Sequence, residues 1–255
     1  PIAIWDAPEL DLEPIRESTD FFGEESYDPN EYKIIEYNWT MIDKPAGSTA
    51  RMNGSGIANR YDFTPDLAGE YTAQLVVTND RCVQSDPCLL TLKAVPNEDL
   101  WVEMHWEHSG DDMDLHLVKN NASYESDGDC YYGNCISYED EEYYDYDDYD
   151  DYYDYGNYGL NWGDESIEED DPHLDLDDVP GTGPENINIE SPAPGLYTVV
   201  VHDYPESSYR WDNDVTIRVH LYGEVVYEET KTIDGEDDYV PFVTIEWPSG
   251  LLQPL

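Results

Sequence analysis

Basic side chains are scarce in this chain. Eleven lysines and arginines stand against 60 aspartates and glutamates, for a formal net charge of −49. Nucleic-acid binding needs Lys and Arg to neutralise phosphates, and this chain has too few to form such a patch. An anionic membrane surface repels it for the same reason. Long apolar runs are also missing. No stretch nears the roughly 20 residues of a spanning helix, so no transmembrane segment is expected, and no signal-peptide pattern occurs. Helical periodicity is almost absent. There is no G-x-S-x-G elbow, no P-loop, no dinucleotide-binding glycine pattern and no H-E-x-x-H. Lacking C-x-x-C-H and any phosphate loop, the chain is expected to carry neither haem nor nucleotide. Catalytic carboxylates need an apolar cleft and split pKa values. No such pattern is visible, and the chain reads as a non-enzyme.

Cysteine is sparse, with four residues in two local pairs: Cys82 with Cys88, and Cys130 with Cys135. Each pair flanks turn-forming residues, RCVQSDPC and DCYYGNC. Two short-range disulfides are expected, which places the chain in an oxidising, extracellular compartment. A four-cysteine zinc site wants closer spacing. Beginning at Pro1 with no leader, the sequence reads as a mature secreted chain. Three N-x-S/T triplets lie at Asn38, Asn53 and Asn121 and serve as acceptors only in a glycosylating host.

Tyrosine and acid are what the chain has in excess. Residues 138–158 read YEDEEYYDYDDYDDYYDYGNY. A packed core excludes such a run, since burying that many carboxylates costs more than burying the rings returns. Its place is in water, on cations or against another surface. Tyr143, Tyr144, Tyr146, Tyr149, Tyr152, Tyr153 and Tyr155 form a candidate interaction tract, because tyrosine is apolar on its face and polar at its tip. Neutralised by cations or a basic surface, such a segment can add to a neighbouring sheet edge. Compositional disorder of the free chain is the plainer reading. Acidity alone also suits adaptation to brine, which leaves the interleaved tyrosines unexplained.

Period-two apolar runs recur along the rest of the chain: 72–78, 89–95, 100–106, 114–118, 197–202, 215–222 and 243–247. Each is bounded by Gly, Pro, Asn or Asp, the punctuation of strands. The expected fold is all-β, two immunoglobulin-like β-sandwiches in tandem, spanning 1–96 and 97–255, with the acidic tyrosine-rich insert at about 137–161 in the second. PDLAGEYTAQLVV and PAPGLYTVVV share a Gly-x-Tyr before an apolar strand. This predicts tyrosine corners at Tyr71 and Tyr197, one for each sandwich.

The stretches SYDPN, then Tyr37 and Trp39, then KPAGSTA and FTPDLAGEYTAQLVV follow one another at a familiar spacing. Residues 1–95 thereby resemble the PKD-type immunoglobulin-like domain. The resemblance implies that Trp39 and Phe63 are buried core residues, and that the domain spaces or mediates contacts in extracellular bacterial proteins. It departs from that family in its Cys82–Cys88 loop. LWVEMHWEHSGDDMDLHLV, LDLDDVPGTGPENINIE and PAPGLYTVVVHDY together make residues 99–248 similar to an uncharacterised exported bacterial β-sandwich family. That resemblance implies fold and export and carries no activity.

Asp112 and Asp114 are two apart and share one side of an extended chain, with Leu115 and Leu117 on the core side. Asp177 and Asp178 precede a Gly-Pro turn that ends at Glu185. Clustered carboxylates on loops suit a hard cation that takes six to eight oxygens, so Asp112, Asp114, Asp177, Asp178 and Glu185 are candidate Ca²⁺ ligands, with Asn186 as a further oxygen donor. A solvated acidic rim, or aspartates capping turns, is the competing reading. Among the six histidines, His105 and His108 face opposite sides of a strand, and His116 reads as a half-exposed strand residue on the Asp114 side. The whole points to a secreted, calcium-associated structural or adhesive protein of a bacterial cell surface or matrix that self-assembles into a fibre or surface layer. The alternative is a monomeric binding module for carbohydrate, protein or mineral, accessory to a larger enzyme.

Overall fold

Alternation of apolar and polar side chains, with turn residues between, produces strands and no helix among the described residues. The computed structural model describes residues 1–52, 57–136, 159–179, 181–205, 207–235 and 237–255. The tyrosine tract and Asn53 lie outside them. No helix among these residues is long and apolar enough to cross a membrane. The chain divides into two compact units, Pro1–Pro96 and Asn97–Leu255.

Unit 1 contains β1 (Asp11–Leu12), β2 (Thr19–Phe22), β3 (Ile34–Asp43), β4 (Asn59–Phe63), β5 (Gly69–Asn79) and β6 (Cys88–Ala94). One sheet has the order β1-β6-β5-β3, and β2 pairs with β4 in a second. Along β5, Tyr71, Ala73, Leu75 and Val77 point inward and are fully buried. They meet Phe21 and Phe63 from the small sheet and Trp39 from β3 in one core. Trp5 meets Trp39 edge-to-face at 5.2 Å and Phe21 at 5.1 Å, an arrangement favoured by the ring quadrupoles. The Tyr71 hydroxyl donates to the Leu67 carbonyl at 2.8 Å and accepts from the Leu67 N–H at 3.0 Å.

Unit 2 contains β7 (Leu100–Trp106), β8 (Met113–Lys119), β9 (Asp129–Cys130), β10 (His173–Leu176), β11 (Glu185–Ile189), β12 (Gly195–Asp203), β13 (Asn213–Leu221), β14 (Glu224–Ile233), β15 (Tyr239–Trp247) and β16 (Leu251–Pro254). They form two five-stranded sheets, β10-β11-β7-β13-β14 and β16-β15-β12-β8-β9. Every strand pairing in both is antiparallel. The sheets share one apolar core. Val102, Met104, Ile187, Val215 and Ile217 enter it from the first, and Leu115, Leu117, Val199, Val201 and Val243 from the second. This is the two-layer solution that one-faced sheets require. The Tyr197 hydroxyl donates to the Ala193 carbonyl at 2.5 Å, the counterpart of the Tyr71 bond four residues upstream in unit 1.

One disulfide forms, Cys130–Cys135, while Cys82 and Cys88 are free thiols. The expected Cys82–Cys88 bridge is thus corrected, and the β5–β6 hairpin explains why. Cys88 is paired level with Leu75, whereas Cys82 sits in a turn closed on the Asn79 carbonyl. Four residues of strand separate those levels, about 13 Å at the usual rise, beyond the roughly 7 Å that a disulfide tolerates between Cα atoms.

Both flanks of the tyrosine tract are tied to unit 2. On the leading side, Ile136 bridges to Leu174 beside the Cys130–Cys135 loop. On the trailing side, Leu160 and Trp162 enter the core. The Trp162 indole N–H donates to the Asp127 carbonyl at 2.8 Å, and Lys119 lies over its ring.

Candidate metal centre

Asp114, Asp177 and Glu185 offer ligand oxygens that all lie within 4.8 Å of one another. Three strand ends bring them together. Asp114 is on β8, whose partner β9 pairs only at Leu117 and Val118. The N-terminal half of β8 therefore has an open edge, and its Leu115 N–H donates to Glu185 Oε2 at 2.8 Å. Glu185 opens β11, level with Met104 of β7. Asp177 follows the last residue of β10, in the turn that leads to Glu185. That turn is fixed by Asp178, whose Oδ2 accepts the Gly183 N–H at 2.8 Å. A Cβ on Gly181 would sit 1.8 Å from the same oxygen, so only glycine lets the carboxylate fold over the backbone. Gly183 has φ +79° and packs against the Met104 carbonyl, a position closed to L side chains.

The electrostatics follow from burial of like charges. Glu185 is 1% exposed. Its carboxyl is pushed well up by burial first and by Asp114 second, with the Leu115 N–H opposing. Asp177 is raised by burial, then by Asp114 and Asp178. Asp112 is raised to about 6 by burial and then by Asp114, Asp177, Asp111 and Asp178. Among the described residues, no lysine or arginine pairs with Asp114, Asp177 or Glu185. The nearest group that can carry a positive charge is His202, whose Nδ1 lies 3.4 Å from Asp114 Oδ2. A buried oxygen of Asp112 has no hydrogen-bond partner. Two buried carboxylates and the exposed Asp177 at such separations favour a proton or a cation between them. An all-oxygen donor set is the chemistry of a hard divalent ion.

The five proposed ligands thus divide. Asp114, Asp177 and Glu185 form the oxygen cluster, Asp112 acts on it electrostatically, and Asp178 spends an oxygen on the turn. Asn186 is placed differently from expectation. It follows Glu185 in the same strand and so faces the opposite side of the sheet, level with Glu103.

His116 is another correction, since it is 1% exposed where a half-exposed residue was expected. Its Nδ1 lies 2.8 Å from Asp129 Oδ2, and its ring stacks on Tyr131 at 5.1 Å. Beside it His202 stacks on Tyr239 at 4.1 Å, and Tyr239 on Tyr124 at 4.2 Å. This aromatic layer seals the outer face of β8 next to Asp114. Sequence reasoning missed it because its rings come from four separate segments. The only local signal is the alternation Asp114, His116, Val118 opposite an apolar core face. Comparison of the chain with protein-family models, with curated proteins and with solved structures finds no match.

Proposed function

We propose that this chain is a secreted, calcium-associated structural or adhesive protein of a bacterial cell surface or extracellular matrix, and that it self-assembles. The observation that carries the reading is the Asp114–Asp177–Glu185 cluster, in which Asp114 and Glu185 are buried, Asp177 stands at the surface, and no lysine or arginine among the described residues balances the oxygens. A divalent cation there joins the β8 edge to the start of β11 and fixes the rim of unit 2. Calcium fits better than magnesium, because carboxylates set on turns adapt to its looser coordination, whereas magnesium prefers to keep several waters. The Cys130–Cys135 disulfide supports an oxidising compartment. The resemblance of residues 1–95 to PKD-type domains supports a spacer or contact role for unit 1, as an immunoglobulin-like sandwich in tandem with the second. The tyrosine tract, whose flanking residues Ile136 and Leu160 are anchored in unit 2, supplies the contact surface, and cations shared between carboxylates supply the joints.

Light scattering tests the assembly. Particles that grow in millimolar calcium and return to monomer in EDTA support the proposal. A monomer of unchanged size in both buffers removes self-assembly.

A second reading is a monomeric extracellular binding module. It is favoured by Trp211, a tryptophan left 72% exposed on a loop of unit 2. A chain that stays monomeric in calcium and captures a soluble ligand would move the assignment there.

A further inference from the structure

Trp211 does not stand alone. Residues 107–112 and 207–212, together with Asn213 at the start of β13, are fastened to each other and hold it in place. Ser208 and Tyr209 both donate their backbone N–H groups to the Gly110 carbonyl at 2.9 Å. Asn213 Oδ1 accepts the N–H groups of Glu107 and His108, and its amide donates to Asp111 Oδ2 at 2.9 Å. Asp111 is 2% exposed, and its other oxygen accepts from Ser207. On this frame three rings are displayed. His108 stacks on Tyr209 at 5.0 Å with 29° between planes, and Trp211 meets Tyr209 at 5.4 Å and 71°. The Tyr209 hydroxyl donates to the Asp212 carbonyl at 3.2 Å, which fixes the middle ring.

Tyr209 and Trp211 meet edge to face and make a corner; the charges acting on Tyr209 are those of Asp111, Asp212 and Glu107, while Arg210, between the two rings in sequence, has an interaction of its own. Burial, followed by the charges of Asp111, Asp212 and Glu107, holds the Tyr209 phenol above its ordinary value. An apolar ligand would have to strip water from those carboxylates. An anion, nucleic acid included, meets repulsion from them and from the chain as a whole. A pyranose stacks on one ring and donates its hydroxyls to carboxylates, but being neutral it draws nothing from their net charge. A cation uses every element present: the ring faces attract it through their quadrupoles, and the carboxylates add charge attraction. Among cations, the guanidinium group suits the corner best. It is planar, it stacks on aromatic faces, and it gives up its water more readily than an ammonium.

We propose that the His108–Tyr209–Trp211 corner is a docking site for an arginine side chain presented by a basic polypeptide. The site shares no residue with the Asp114–Asp177–Glu185 cluster and stands whether or not that cluster takes calcium.

The test is calorimetric titration of the full chain with a hexa-arginine peptide, at physiological ionic strength and in calcium-containing buffer. Trp211→Ala and Tyr209→Ala keep the net charge and remove one wall each. Trp211 is so exposed that its loss leaves packing intact, which a thermal melt of each variant verifies. Each alanine variant is expected to weaken peptide binding about 5- to 30-fold, the range of a partly desolvated cation–π contact. Trp211→Phe is expected to recover part of the loss. Equal binding by wild type and both alanine variants would mean that the peptide follows bulk charge, and the site falls. No binding by wild type overturns it as well. A neutral oligosaccharide that binds wild type and fails on Trp211→Ala, with the peptide unaffected by that change, would reassign the corner to sugar.

Discussion

Glu185→Gln separates a cation ligand from a structural hydrogen-bond acceptor. The amide is nearly isosteric and retains an oxygen for the Leu115 N–H, which Glu185 accepts at 2.8 Å. It removes one charge from a group of three whose oxygens lie within 4.8 Å of one another. At an effective dielectric of 20, two unit charges at that separation repel by about 3 kcal/mol. Glu185 Oε1 also accepts the Asp178 N–H at 3.4 Å, and an amide cannot serve both donors, so relief from the two neighbours is set against roughly 1–3 kcal/mol for the bond that is lost. In EDTA at pH 8, where protons offset the repulsion least, the variant should unfold at a higher temperature than wild type. In calcium the order should reverse. Wild type gains about 2.7 kcal/mol at a hundredfold excess of calcium over Kd, or very roughly 5–10 °C for a unit of this size. The variant gains little. Differential scanning calorimetry of the unit 2 transition in both buffers reads the crossing. If Glu185→Gln is destabilised by the same amount in EDTA and in calcium, Glu185 is a structural acceptor and the cation argument fails.

Three further outcomes follow from the geometry. Without divalent metal, the stability of unit 2 should rise as pH falls from 8 toward 5, because Asp112, Asp177 and Glu185 titrate above their unfolded values and the folded state takes up protons first. With saturating calcium that rise should vanish, and apparent calcium affinity should fall as pH drops through about 6; a flat profile in EDTA contradicts the buried-charge account. Thiol titration of the native, non-reduced chain should find two free cysteines, Cys82 reacting fast and Cys88 slowly, in keeping with their exposure; no free thiol would restore the second disulfide. Trp39→Ala should cost unit 1 about 3–5 kcal/mol, and calorimetry should show the unit 2 transition unmoved; a shift in both would mean that the two units unfold together.

Much of the fold was legible because buried strands advertise themselves. The runs containing Tyr71, Leu115 and Ile217 alternate apolar with polar, and each strand has a partner on both sides along at least part of its length. The polar edge strand β14 carries EVVYEETKTI, with charge on both faces, so no alternation marks it. The two-residue strands β1 and β9 are too short to show a period. At the site, the Asp112–Asp114 spacing pointed at the right segment, and the Gly-Pro turn pointed at Glu185. Which aspartates turn inward depends on turn closure by Asp178, a contact that strand periodicity does not encode. The Cys82–Cys88 expectation failed similarly, since sequence separation carries no information about hairpin stagger.

The anchored flanks at Ile136 and Leu160 have a consequence for engineering. The scaffold is fastened at Ile136 on one side of the tyrosine segment and at Leu160 and Trp162 on the other. What stands between those anchors can therefore be swapped by design without changing either of them, and the sandwich serves as a fixed socket for interchangeable cargo.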